Sequence, residues 1–169
     1  MGKIIAVSNQ KGGVGKSTTV VNLAAVFGNK GKKVLIVDFD PQGNTTTSYG
    51  IRKKSIRNTV YEVLMDECSI FEAVVATQFR GVSVVPTTQK LSGATVELIS
   101  VEDRARQLRK KLIDAKDFYD FILIDCPPAL DMLTINALVA ADTVLIPLQC
   151  EFLSLEGLVE LNQTIQRVK

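Results

Sequence analysis

The chain has no histidine and no tryptophan, and only three cysteines and five prolines among its 169 residues. Without histidine the commonest general base is missing, so any hydrolysis must rest on carboxylates, lysines and a metal. The cysteines, Cys68, Cys126 and Cys150, are irregularly spaced and include no CxxC pair. With no histidine to complete a zinc site they read as reduced, mostly buried thiols. Long apolar runs are also lacking: Phe121 to Ile124 and Thr143 to Leu148 fall far short of the roughly 20 residues of a membrane span. Met1 to Val7 carries no secretory pattern, so a soluble, cytoplasmic protein is expected. Twenty basic residues against eighteen acidic leave a net charge of +2, too small to diagnose nucleic-acid binding by itself. An apolar fraction of 46% with 22% charge suits one compact domain and argues against disorder.

What is present begins with SNQKGGVGKST, Ser8 to Thr18, between an apolar run (Ile4 to Val7) and an alanine- and valine-rich segment. It reads as strand, glycine-rich turn and helix. Gly12, Gly13 and Gly15 can take positive φ and have no Cβ, so backbone N–H groups can turn toward a phosphate. Lys16 supplies a cation to the β- and γ-phosphates, Ser17 a hydroxyl to Mg2+, and the helix N terminus a partial positive charge. The nucleotide loop thus covers Lys11, Gly12, Gly13, Val14, Gly15, Lys16, Ser17 and Thr18. The pattern GxxxxGK[ST] is matched by Gly15, Lys16 and Ser17, but its first glycine falls on Gln10. Lys11 beside it is a second cation, within reach of a phosphate on its own chain or on a neighbour's nucleotide. The competing reading is a glycine-rich turn that binds nothing.

Along the chain, a first helix is predicted from Gly15 to Phe27, and Lys33 to Asp38 reads as a strand buried on both faces. Asp38 and Asp40 close that strand. Ligands of open α/β sheets sit outside the carboxyl ends of the strands, so these acids and the loop after Lys11 should share one rim. DFDPQGNTTT after the strand reads as a switch loop or, alternatively, as an ordinary turn. Arg52, Lys53, Lys54 and Arg57 form a basic cluster, either a solvated loop or a nucleic-acid contact. Thr59 to Met65 and Ser69 to Ala76 read as short helices, and Val82 to Pro86 as a strand. Leu91 to Ile113 reads as one helix, with Leu98, Val101, Ala105, Leu108 and Leu112 on its buried stripe and Glu102 paired to Arg106. Phe121 to Asp125 is a strand whose terminal Asp125 is arranged as a Walker B acid, holding the Mg2+ shell through water. A helix over Asp131 to Ala141, a fifth strand over Thr143 to Leu148 and a helix over Leu153 to Val168 complete the order. Alternation of strand and helix predicts an α/β fold with a mostly parallel central sheet and helices on both faces.

KGGVGKST, VDFDPQGN and FILIDCPP, in this order, resemble the ParA/Soj family of partitioning ATPases in the deviant Walker A class of P-loop NTPases. The resemblance extends to QCEFLSLEGL near the end of the chain. It implies that Lys11 reaches across an ATP-dependent homodimer to the partner's nucleotide, that Lys16 is the P-loop lysine and Ser17 the magnesium ligand. It implies further that Asp40 positions or activates the attacking water and that Asp125 is the Walker B acid. ATP and Mg2+ would be the substrate and cofactor, and a ParB-type DNA-binding protein the partner. Non-specific DNA would be bound by a full-length form on the nucleoid, with no membrane contact. The resemblance also implies a domain of about 250 residues, of which 1–169 would be the N-terminal part. Two other readings are a MinD-like membrane-cycling ATPase and a binding module that does not hydrolyse nucleotide.

Overall fold

The computed structural model describes residues 1–150 and 154–168. The apolar runs form strands whose alternate side chains enter two separate cores. β1 (Lys3–Val7) leads through the glycine loop into α1 (Lys16–Asn29), which returns to β2 (Val34–Asp38). α2 (Asn44–Ser48) and α3 (Val60–Leu64) follow, then the short strand β3 (Val75–Ala76) and β4 (Val82–Val85). α4 (Ala94–Glu97), α5 (Gln107–Leu112), β5 (Phe121–Asp125), α6 (Met132–Ala140), β6 (Thr143–Leu145) and α7 (Ser154–Val168) complete the described chain. The sheet order is β3-β4-β2-β5-β1-β6. All pairings are parallel except that of β3 with β4.

β2 shows how the sheet divides the interior. Leu35 and Val37 join the core covered by α3, α5 and α6, whereas Val34 and Ile36 join the core covered by Val20 and Ala24 of α1. The two-residue strand period sends neighbours to opposite faces. Gly28 lets α1 come close to the sheet: a Cβ there would lie 2.3 Å from the Arg80 carbonyl oxygen.

Several elements differ from the sequence reading. DFDPQGNTTT contains a helical turn, α2, after the left-handed Gly43. Ser69 to Ala76 is only briefly helical, a 3-10 turn over Ile70–Ala73, before it becomes the antiparallel edge strand β3. Leu91 to Ile113 is not one helix. Asp103 takes φ +54, Val101 is 37% exposed, and α4 and α5 are separate. The cause is Asn136 on α6: its Oδ1 accepts from Leu108 N–H and its Nδ2 donates to the Arg104 carbonyl. Buried amide groups are satisfied by bending the segment, and that satisfaction overrides the periodicity. The bend also removes the single helix on which Glu102 and Arg106 were to pair. Strand β6 stops at Leu145, since Pro147 has left the sheet to accept a hydrogen bond from Asn9. Cys126 is buried and Cys68 half-buried, but Cys150 is exposed. On α7, Leu161 is buried and Leu158 and Ile165 are half-buried, while Leu153 and the side chain of Leu155 lie outside the described residues. Among those residues, no helix is long and apolar enough to cross a membrane.

Candidate functional site

The glycine loop leaves the carboxyl end of β1, which lies between β5 and β6, and its conformation follows from its composition. Gly13 and Gly15 take φ +75 and +89, a region closed to most side chains, whereas Gly12 is not among the left-handed residues. Gly15 is the N-cap of α1 and makes no side-chain cap hydrogen bond. The first N–H groups of a 14-residue helix are therefore left for a ligand. A Cβ built on Gly12, Gly13 or Gly15 would meet no atom within 4 Å, because these residues line an open cleft of about 560 Å3. Lys16, Ser17, Thr18, Asp40, Gln42 and Asn44 line it as well.

Lys11 contributes through its backbone: its N–H donates to Asn9 Oδ1 (3.0 Å) and its carbonyl accepts from Lys16 Nζ (3.2 Å). Val14 is 9% exposed, and neither it nor Lys11 lines the cleft. Burial holds the Lys16 ammonium below its ordinary pKa, with Asp125 and then Asp40 acting in the opposite direction. The two carboxylates favour the charged form of this largely buried amine, and the ammonium is the form that bonds a phosphate.

Asp38 and Asp125 are register partners at the ends of β2 and β5, so two carboxyls stand side by side with no exposure. Consecutive threonines of α2 cap them. Thr45 Oγ1 donates to Asp125 Oδ2 (2.7 Å), and Thr46 donates to Asp38 Oδ2 through both N–H (2.7 Å) and Oγ1 (2.6 Å). Oδ1 of each acid is buried with no hydrogen-bond partner among the described residues. Burial pushes the Asp38 carboxyl up to about 7, with Thr46 offsetting and Asp125 adding to the rise. Asp125 is also raised by burial, offset by the hydroxyls of Thr45 and Ser17. The Cys126 thiol beside it is pushed up by burial, so it is a poor nucleophile.

Asp40 is 7% exposed, and its Oδ1 accepts from Gln42 N–H (3.0 Å). The turn is closed by a bond from Gly43 N–H to the Asp40 carbonyl (2.8 Å). Lys53 Nζ also donates to the Gln42 carbonyl (2.5 Å), so one member of the basic cluster braces this turn. Ser17 and Asp40 thus meet at the cleft, with Asp125 buried beside Lys16 and Ser17. No group of three metal-binding side chains occurs among the described residues. The groups that fit a divalent cation are instead the Ser17 hydroxyl and, through water, Asp125, whose Oδ1 is buried without a partner among the described residues, the remaining ligands being left to water and phosphate. Sequence reasoning missed Thr45 and Thr46 as partners of the acids. Their signal was the run of hydroxyl residues, TTTS, directly after DPQGN, at the rim where both strands end.

A family model described as an AAA domain (AAA_31) matches residues 2–169. The chain is 49% identical over 169 residues to the sporulation initiation inhibitor protein Soj of Bacillus subtilis, covering 100% of the chain and 67% of Soj. It is 50% identical to the chromosome partitioning protein ParA of Myxococcus xanthus, covering 100% of the chain and 60% of ParA. The chain therefore spans about three fifths to two thirds of these relatives' lengths. The structure of a cobyrinic acid a,c-diamide synthase from Mycobacterium smegmatis with bound ADP and magnesium superimposes with a TM-score of 0.95 at 39% identity. That match covers 99% of this chain and 68% of the other. Sequence, sheet order and glycine loop converge: the chain belongs to the ParA/Soj family of deviant Walker A P-loop NTPases.

Proposed function

We propose that this chain carries the nucleotide site of a magnesium-dependent ATPase that partitions chromosomal or plasmid DNA. One observation carries the reading. The uncapped N terminus of α1, the Lys16 ammonium and the Asp40 carboxylate converge on one open cleft at the carboxyl rim of the sheet, where Asp38 and Asp125 lie buried at the ends of β2 and β5. Identity to Soj and ParA near 50% supports partitioning as the process served.

In this reading the loop from Lys11 to Thr18 wraps the phosphates with N–H groups, and Lys16 bonds the β- and γ-phosphoryl oxygens. The Ser17 hydroxyl and, through water, Asp125 hold Mg2+, which supplies positive charge to the phosphoryl oxygens. Asp40 accepts a hydrogen bond from the attacking water and takes its proton as the new P–O bond forms. The bond from the γ-phosphorus to the β–γ bridging oxygen breaks, and ADP leaves with phosphate. No histidine is needed, because the base is a carboxylate and the charge is met by two lysines and the cation. Lys11 serves the nucleotide of a second copy, so that ATP closes a homodimer that a ParB-type partner recognises. The same reading puts the protein in the cytoplasm, on the nucleoid when ATP is bound.

The Asp40→Ala variant tests the assignment. It is expected to bind ATP within threefold of the wild type while its turnover falls by about 100-fold or more, the usual scale for loss of a general base. Unchanged turnover would remove Asp40 from the reaction.

A further inference from the structure

The threonine pair of α2 does more than fill space between two acids. Thr46 is fully buried and joins three segments. It donates twice to Asp38 at the end of β2, and its Oγ1 accepts from Thr87 N–H just beyond β4 (3.1 Å). Thr45, one residue before, fixes α2 to Asp125 at the end of β5. The loop between these anchors is short and contains Asp40, whose carboxylate is oriented by Gln42 N–H. Where Asp40 stands is therefore set by a helical turn bolted to three adjacent parallel strands, β4, β2 and β5. Preorganised groups act only when their supports fix them within a fraction of an ångström.

We infer that Thr46 is a positioning residue: through its hydroxyl, shared between Asp38 and Thr87 N–H, it holds the Asp40 loop in register with the sheet. The inference rests on Asp40 acting at the γ-phosphoryl group, but the bolt itself can be observed without turnover. Thr46→Val keeps the shape and removes the hydroxyl, and Thr46→Ser keeps the hydroxyl and removes a methyl group.

Two measurements on these variants decide the matter. Hydrogen exchange of the nucleotide-free chain reads the bolt directly. In Thr46→Val, amides of residues 40–48 and of Thr87 are expected to exchange about tenfold faster, with β1 and β5 unchanged, and Thr46→Ser is expected to restore protection. Steady-state kinetics then read its consequence: Thr46→Val lowers kcat by about tenfold with KM for ATP changed less than threefold, and Thr46→Ser stays within threefold of wild type. Unchanged exchange around residues 40–48 in Thr46→Val overturns the inference whether or not the wild type hydrolyses ATP. Exchange accelerated equally in β1 and β5 overturns it too, because Thr46 would then support the whole fold. Faster local exchange with kcat intact overturns the positioning role. A wild type without turnover contradicts the ATPase reading, and the exchange result still decides the bolt.

Discussion

At the scale of single residues the site is governed by burial. Asp38 has no exposure and a carboxyl pushed up to about 7, so its folded state holds a proton that the unfolded chain gives up at an ordinary pKa of 3.8. The contribution of this group to stability is full below pH 3.8 and is lost as pH rises through about 7. Asp38→Asn keeps an acceptor for Thr46 and removes the titration. The wild-type melting temperature minus that of Asp38→Asn is expected to fall by at least about 4 °C between pH 5 and pH 8. A difference that stays level or rises with pH would show that Asp38 is ionised at low cost in the fold.

At the scale of elements, strands and the start of the helix at Asp131 were legible from local chemistry. β2 and β5 announce themselves as apolar runs ending in acids, and Asp131 caps α6 through Leu133 and Thr134 N–H as its side chain allows. The bend between α4 and α5 was hidden, because it answers Asn136, which lies 28 residues from Leu108. A polar residue on an apolar helix gives no sign of which segment it will cap. β3 was hidden for a similar reason: two residues, Val75–Ala76, become a strand only by pairing with β4. Thr45 and Thr46 could be seen as hydroxyls near acids, but their division between Asp125 and Asp38 depends on the register of β2 with β5. The Asn136 reading has a test. Asn136→Ala leaves the Leu108 N–H and the Arg104 carbonyl without their partner and is expected to cost about 2 kcal/mol in urea unfolding. A loss below about 0.5 kcal/mol would mean that the bend does not depend on this amide.

For the whole molecule, the parallel sheet brings one rim of strand ends together, and everything proposed for this chain happens there. The glycine loop with α1, Asp38 with α2, and Asp125 come from three separate stretches of the chain, and the order β3-β4-β2-β5-β1-β6 makes them neighbours. Dimerisation belongs to this scale. If Lys11 serves a second nucleotide, Lys11→Ala should remain a monomer with ATP and Mg2+ in light scattering under conditions where the wild type doubles its mass. A variant that doubles equally would release Lys11 from that role. The central claim, that the cleft is a site for ATP built around Lys16, is tested most directly by calorimetric titration of the wild type and of Lys16→Ala with a non-hydrolysable ATP analogue and Mg2+. One nucleotide per wild-type chain and an affinity at least about 100-fold weaker in Lys16→Ala are predicted, the scale of a lost charge-assisted bond in a partly buried site. Equal affinity in the two proteins, or no binding to the wild type, would contradict it.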